Sequence, residues 1–250
     1  MKKPPFFVIG CVRSGTTLLR DVLREHPNLA SPEETHFFRW SEPFGNNASL
    51  KAIEGNATLK KHRAMDGITE AEFQKMLHRS VSRSDLTKKY MKLFISKNKP
   101  SANRWFDKTP QNVYGAAMIA TQFPHSKFVH IVRNPIDVVS SLRIGKIVKI
   151  ESIVGACNFW NEAAEIIYVL KKAYPGRVYE VKYEDFTNNL LVEMEKILAF
   201  VGEEFHPDYF NRIATKPKEH EHDKLFSEQE IDTIARLCGK WSKHYGFTIR

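Results

Sequence analysis

The chain has 250 residues, of which 42% are hydrophobic, and a chain of this size can bury the core of one α/β domain. Lys and Arg outnumber Asp and Glu by 38 to 29, and the net charge of +9 suits an anionic ligand, a nucleic acid or an anionic membrane. Three widely spaced cysteines in apolar surroundings favour buried, reduced thiols over a disulfide framework or a zinc site.

We expect no targeting segment, no membrane segment and no internal boundary in this chain. MKKPP leads directly into the first apolar stretch, which predicts no signal peptide, and no apolar run is long enough to cross a bilayer. No repeat or linker divides the chain. We therefore expect a single domain over residues 1–250, located in the cytoplasm.

The stretch Phe6–Thr17, FFVIGCVRSGTT, predicts a buried strand, a tight turn and the start of a helix. The first N–H groups of a helix have no backbone partner and bind anions readily. Gly10 and Gly15 have the spacing of a nucleotide phosphate loop, but Thr16 replaces the lysine that reaches the β- and γ-phosphates of ATP. Together with Arg13, the loop therefore suits a phosphate-like group other than Mg·ATP.

Capping signals give a simpler interpretation of two residues near the start of the chain. Ser14 is a possible N-cap, which would make the first turn an ordinary strand–turn–helix. Ser31, Pro32 and Glu34 predict the N-cap, first residue and capping-box acid of a second helix. Residues 41–67 are polar and weakly periodic, and they predict irregular surface structure or a flap over the site.

Helix and strand signals then alternate to the end of the chain. Helices are predicted over residues 69–81, 88–99, 109–123, 135–145, 151–173, 190–201 and 227–240. Further strands are predicted over residues 105–108, 127–132 and 178–183. This alternation predicts a three-layer α/β fold, with a mostly parallel central sheet and helices on both faces.

Charged residues stand at the ends of three predicted strands. In an open parallel sheet, ligands bind beyond the carboxyl ends of the strands. The loop containing Arg13, then Lys108 and Arg133, occupy such ends, and Ser141 lies two helical turns beyond Arg133 on the following helix. Two separate anion sites fit a nucleotide with phosphates at both its 5′ and 3′ positions.

These motifs resemble those of sulfotransferases that use 3′-phosphoadenosine 5′-phosphosulfate (PAPS). GCVRSGTTLL is similar to the family's 5′-phosphosulfate loop, and FVHIVRNPIDVVSSL is similar to its 3′-phosphate segment. HPNLASPEETHFF and FDKTP resemble the branch that contains protein-tyrosine sulfotransferases and bacterial relatives. The resemblance is strong over residues 6–39 and 104–142, moderate over 177–202 and absent over 41–103. It implies the P-loop nucleotide-hydrolase-like fold, with 41–103 as an insertion or flap on the acceptor side.

The resemblance also implies roles for individual residues. Glu34 would be the general base, with Glu33 and His36 as alternatives, and Lys108 would contact the phosphosulfate bridge that leaves. The residues implied in cofactor binding are Arg13, Ser14, Gly15, Thr16, Thr17, Arg133, Ser141, Tyr183 and Lys216.

The implied reaction is in-line transfer of a sulfuryl group from PAPS to an acceptor hydroxyl, releasing 3′-phosphoadenosine 5′-phosphate (PAP). No metal is implied, and His220 and His222 are expected in a solvated charged loop rather than a metal site. The acceptor is left open among a small molecule, a glycan and a peptide tyrosine. Gly145 stands where the tyrosine-sulfating enzymes carry a further arginine, which weakens the case for a protein tyrosine, although Arg143 and Lys146 are close by.

Two other classes of protein share some of these features. A Mg·ATP-dependent small-molecule kinase would have a related fold, but it should carry the missing loop lysine and an acidic residue that holds the metal. A nucleic-acid-binding module would explain the positive charge but not the paired anion sites. We therefore expect no nucleic-acid partner.

Overall fold

The computed structural model describes residues 3–39, 42–145, 148–215 and 225–249. Five parallel strands form one sheet in the order β2-β3-β1-β4-β5. The strands are β1 (Phe6–Ile9), β2 (Leu29–Ala30), β3 (Arg104–Lys108), β4 (Lys127–Val132) and β5 (Val178–Lys182). The sheet confirms the predicted parallel α/β architecture.

Helices surround the sheet. The α-helices in the described ranges are α1 (Thr16–Glu25), α2 (Asn47–Glu54), α3 (Ala57–Met65), α4 (Glu70–His78), α5 (Arg83–Asn98), α6 (Ala116–Gln122), α7 (Pro135–Arg143), α8 (Ile153–Ala173), α9 (Tyr183–Asn188), α10 (Leu190–Val201) and α11 (Glu228–Tyr245). Short 3₁₀ helices cover Pro110–Gly115 and Pro207–Tyr209. No helix within the described ranges combines the length and apolarity needed to cross a bilayer.

The central strand β1 is buried on both faces. Phe7 and Ile9 belong to one hydrophobic cluster, and Phe6 and Val8 belong to another, as the alternation of side chains along a strand requires. All four side chains are fully buried, and each contributes about 1.5–3 kcal/mol. Helices must therefore cover both faces of the sheet, which explains why the strand is continuously apolar.

The segment before α4 differs from the sequence-based expectation. Residues 31–36 form no helix, so the predicted helix start at Ser31, Pro32 and Glu34 is wrong. Residues 42–67 are not irregular, since they contain α2 and α3. Asn46 and Asn56 cap these helices by accepting hydrogen bonds from backbone N–H groups of the first turn.

Most other helices match their predictions, with shifted ends. The capping boxes at Thr69 and Ser227 are both present, and the latter helix extends to Tyr245. The helix expected from residue 88 begins at Arg83, where Ser82 is the N-cap. The helix expected over 109–123 is divided into a 3₁₀ helix and α6. The three cysteines are free and buried, as predicted.

An ion pair holds the amino end of β3, opposite the end that carries Lys108. Arg104 is buried and donates to Glu203 over 2.9 Å, while its Nε donates to the carbonyl of Pro4. A buried ion pair of this kind is costly to break, because one charge is left without its partner. The pair therefore fixes the start of β3 against the chain segments that contain Pro4 and Glu203.

Replacing Glu203 should destabilise the protein without touching the carboxyl edge of the sheet. Glu203→Ala is expected to lower the free energy of unfolding by about 3–5 kcal/mol, since Arg104 stays buried. Glu204→Ala is the matched control, because the neighbouring side chain is 90% exposed. Urea denaturation of both variants tests this, and equal stabilities would contradict the role of the pair.

Candidate active site

The carboxyl ends of the parallel strands meet at one edge of the sheet, where open α/β proteins bind ligands. The predicted site residues within the described ranges lie along this edge: 13–17 after β1, Glu34 after β2, Lys108 at the end of β3, Arg133 after β4, Ser141 in α7 and Tyr183 after β5. Every strand thus delivers at least one candidate residue to the same place.

The loop after β1 has the geometry of an anion cradle. Arg13 and Gly15 have φ angles of 70° and 97°, in the left-handed region. A Cβ on Gly15 would lie 2.4 Å from Cδ2 of Tyr183, so this position requires glycine. Gly15 is also the N-cap of α1, so the interpretation of Ser14 as N-cap is wrong.

The Ser14 side chain lies in this loop and is a candidate ligand contact. The residue is 1% exposed, and its hydroxyl has no hydrogen-bond partner among the described residues. A buried hydroxyl without a partner costs about 1–3 kcal/mol. An anion held by the N–H groups that open α1 would supply that partner.

Glu34 and Lys108 form an ion pair beside this loop. Lys108 Nζ lies 2.5 Å from Glu34 Oε1 and 3.3 Å from Thr17 Oγ1. The other carboxylate oxygen of Glu34 lies 3.2 Å from His36 Nε2. The lysine side chain is 1% exposed and the glutamate side chain 23%. The carboxylate therefore contacts two nitrogen donors and retains some access to solvent.

This environment keeps Glu34 ionised. Burial alone would raise the pKa of Glu34, but the hydrogen bond from His36 and the charge of Lys108 outweigh it and lower the pKa to about 2. Burial also lowers the pKa of Lys108, and Glu34 counteracts that effect. Each group thus favours the charged form of the other.

The alternatives to Glu34 are placed differently. Glu33 lies 2.5 Å from Arg20 and 3.2 Å from Arg24, so its carboxylate is held by two arginines. His36 contacts the Glu34 carboxylate and has a left-handed φ of 56°. Of the three candidates, Glu34 alone has a described ion pair with Lys108.

Arg133, Ser141 and Tyr183 lie on the other side of the loop. The Arg133 guanidinium stacks 4.4 Å from the centre of the Tyr183 ring, and its Nε lies 3.6 Å from Asp137. Ser141 Oγ accepts a hydrogen bond of 2.8 Å from Arg13 Nε. The sequence assigned Arg13 and Ser141 to different anions, whereas the structure joins them directly.

Residues between β2 and β3 contact the Glu34 loop, which no motif in 41–103 indicated. His62 Nδ1 in α3 lies 3.3 Å from the carbonyl oxygen of Glu34. Asp66 accepts hydrogen bonds from the Glu33 N–H over 2.8 Å and from the Tyr90 hydroxyl over 2.6 Å. His62 and Asp66 therefore help to shape the surroundings of the candidate base.

Three residues singled out from the sequence lie outside the described residues. They are Lys216, predicted to bind the cofactor, and His220 and His222, expected in a solvated charged loop. In the part of the chain that is described, no three His, Cys, Asp or Glu side chains converge as metal ligands would. Arg143, which precedes Gly145 by two residues, donates a hydrogen bond to Glu230 over 2.6 Å.

Comparison with known proteins identifies the family of the chain. A model of the Sulfotransferase family matches residues 4–207. The chain belongs to this family. It is 22% identical to protein-tyrosine sulfotransferase 1 of Danio rerio over 251 residues, covering 95% of the chain and 66% of the zebrafish enzyme. Some relatives are much longer, and the chain spans 25% of one from Aquifex aeolicus.

Solved sulfotransferases share the fold. The sulfotransferase domain of the Synechococcus PCC 7002 olefin synthase has a TM-score of 0.66 and 23% identity, covering 96% of this chain and 88% of that domain. A mouse sulfotransferase, SULT7A1, solved in complex with PAP, has a TM-score of 0.54 and 14% identity, covering 98% and 89%. The P-loop-like sulfotransferase fold predicted from the motifs is thus confirmed.

The depressed pKa of Glu34 predicts a pH-dependent contribution to stability. A folded-state pKa of about 2, against an ordinary value of 4.5, stabilises the protein above the ordinary value, and this contribution is lost as the pH falls through 4.5 towards 2. Glu34→Gln should therefore lower the free energy of unfolding by about 2–3 kcal/mol at pH 7 and by much less near pH 3. Urea denaturation at both pH values measures the difference.

The exposed Glu25 on α1 supplies a matched control. Glu25→Gln should change the stability by less than about 0.5 kcal/mol at either pH. A deficit of Glu34→Gln that is equally large at pH 7 and pH 3 would contradict the ionised pair.

Proposed function

We propose that this sulfotransferase moves a sulfuryl group from PAPS to an acceptor hydroxyl, with Glu34 as the general base and Lys108 at the leaving group. The observation that carries the proposal is the 2.5 Å contact between Lys108 Nζ and Glu34 Oε1 beside the anion loop. A carboxylate and an ammonium at this position can act in the same transfer. The carboxylate would take the proton of the attacking oxygen, and the ammonium would stabilise charge on the departing oxygen.

The donor would be held by two sets of residues. Its 5′-phosphosulfate would bind the N–H groups, hydroxyls and guanidinium of residues 13–17, where the Ser14 hydroxyl lacks a hydrogen-bond partner within the described part of the chain. Arg133 and Ser141 would bind the 3′-phosphate, and the Arg13–Ser141 hydrogen bond would join the two regions. Each charge-assisted contact contributes about 1.5–3 kcal/mol. Tyr183 supports this arrangement by packing against Gly15 and under Arg133.

The transfer itself requires one proton acceptor and one stabilised leaving group. The acceptor oxygen attacks sulfur while Glu34 takes its proton, so that a new O–S bond forms. The bond between sulfur and the bridging phosphate oxygen breaks, and its electron pair stays on PAP. Lys108 stabilises the charge that develops on this oxygen. The oxidation state of sulfur does not change, so the transfer needs no oxidant or reductant.

The relatives support sulfotransfer and a hydroxyl acceptor. The zebrafish relative is named for protein-tyrosine sulfation, and the mouse structure of the same fold contains PAP. Helices α2–α5 would form the acceptor side, as His62 and Asp66 already contact the loop with Glu34.

We also propose a cytoplasmic location for the protein, which cell fractionation tests.

Glu34→Gln is expected to reduce turnover at least a hundredfold, because an amide cannot take the proton. PAP release from PAPS, measured with a panel of phenols, sugars and tyrosine peptides, gives the rate. Calorimetry with PAP is the companion measurement, and PAP affinity should stay within about threefold of wild type. A variant that keeps its activity would show that another residue is the base.

Arg133→Ala is expected to remove most of the preference for a nucleotide with a 3′-phosphate. Loss of one charge-assisted contact predicts a decrease of about 10–100-fold in the ratio of PAP affinity to adenosine 5′-phosphate affinity. Arg143→Ala is the matched control, because Arg143 is paired with Glu230. An unchanged ratio in Arg133→Ala would exclude Arg133 as the 3′-phosphate residue.

A further inference from the structure

Thr35, Asp107 and Thr109, the sequence neighbours of Glu34 and Lys108, form a buried cluster of three side chains. Asp107 Oδ2 accepts a hydrogen bond of 2.5 Å from the Thr35 hydroxyl, and Oδ1 accepts one of 2.7 Å from the Thr109 hydroxyl. Asp107 and Thr109 are fully buried, and Thr35 is 6% exposed. Neither the anion loop nor the proposed transfer chemistry uses these groups.

The cluster holds the chain on both sides of the reacting pair. Thr35 follows Glu34, while Asp107 and Thr109 flank Lys108. The Thr35 N–H also donates to Thr109 Oγ1 over 2.9 Å, so Thr35 is fixed by its main chain and its side chain. Two hydrogen bonds therefore join Thr35, the residue beside Glu34, to the two residues beside Lys108, and a third joins Thr109 to Asp107.

The loop with Glu34 depends on such contacts, because residues 31–36 have no helical or strand hydrogen bonds. Ordering a residue of irregular chain costs about 1–2 kcal/mol in backbone entropy. A carboxylate that accepts two hydroxyl hydrogen bonds inside the protein can offset much of that cost, since bonds to charged groups contribute about 1.5–3 kcal/mol each.

Asp107 is suited to this task at neutral pH. Burial raises its pKa to about 6, although the hydrogen bonds from Thr35 and Thr109 act in the opposite direction. Its carboxylate is therefore ionised at pH 7 and accepts from both hydroxyls. An asparagine would offer only one acceptor oxygen, and its NH₂ group would face a hydroxyl that now donates.

We propose that Asp107 is a positioning residue, which acts through the hydroxyls of Thr35 and Thr109 to keep Glu34 beside Lys108. This inference rests on the proposed function of that pair. Misplacement of a reacting group by about 1 Å can cost on the order of a hundredfold in rate. Disruption of the cluster should therefore lower kcat while donor binding, which uses the loop after β1 and Arg133, is preserved.

The test compares Thr35→Val, which removes the hydroxyl, with Thr35→Ser, which keeps it. PAP release from PAPS, with water as the acceptor, gives kcat and KM, and calorimetry gives PAP affinity. For Thr35→Val we expect kcat to fall about 10–100-fold, with KM and PAP affinity within threefold of wild type. Thr35→Ser should retain kcat within about threefold.

Asp107→Asn provides a second variant that removes the same contact from the other side. Asp107→Asn should also lower kcat. The double variant with Thr35→Val should have a kcat only slightly below that of the less active single variant, because both substitutions disrupt the same Thr35–Asp107 hydrogen bond. Independent, multiplying losses would contradict a shared cluster.

The outcomes separate this role from a structural one. If Thr35→Val lowers the melting temperature but leaves kcat unchanged, or if PAP affinity falls together with kcat, the positioning role is overturned. If Glu34→Gln releases PAP as fast as wild type, the proposed function itself fails and the positioning role falls with it. If Glu34→Gln is inactive and Thr35→Val retains full kcat, only the positioning role fails.

Discussion

A lysine ammonium buried at the end of a strand needs a counter-charge, and Glu34 supplies it for Lys108. The lysine is 1% exposed, so removing its partner would leave an uncompensated charge inside the protein. This requirement explains why the chain after β2 is a loop rather than a helix, because a helix start would use the Glu34 carboxylate as a cap. The same contact places a carboxylate oxygen and an ammonium nitrogen 2.5 Å apart in the candidate site.

The parallel sheet explains why the positions of many candidate site residues could be predicted from sequence. Parallel strands end at one edge, so residues that follow apolar runs must converge there. Arg13, Lys108 and Arg133 were found in this way, and the structure places each at a strand end. The tight turn at Gly15 could also be predicted, because its left-handed backbone and the nearby Tyr183 ring leave no room for a side chain. The presence of Thr16 instead of the phosphate-loop lysine is read directly from the sequence.

Contacts between distant segments could not be predicted in the same way. Ser31 and Glu34 form a good local capping signal, but the tertiary ion pair with Lys108 determines the structure instead. The hydrogen bond between Arg13 and Ser141 joins residues 128 positions apart, and the Asp107 cluster depends on β2 and β3 lying side by side. The motifs EET and DKTP contained Thr35, Asp107 and Thr109, but spacing alone gave no sign that these side chains meet.

The proposed two-anion site is tested most directly by thermal unfolding with PAP and, in parallel, with Mg·ATP in the same buffer. At a ligand concentration of about 100 times Kd, binding to the native state contributes about 2.7 kcal/mol. For a chain of this size, that corresponds to an increase in melting temperature of about 5–10 °C. We predict this increase with PAP and little change with Mg·ATP. An increase with Mg·ATP alone would contradict a PAPS site and would favour a kinase.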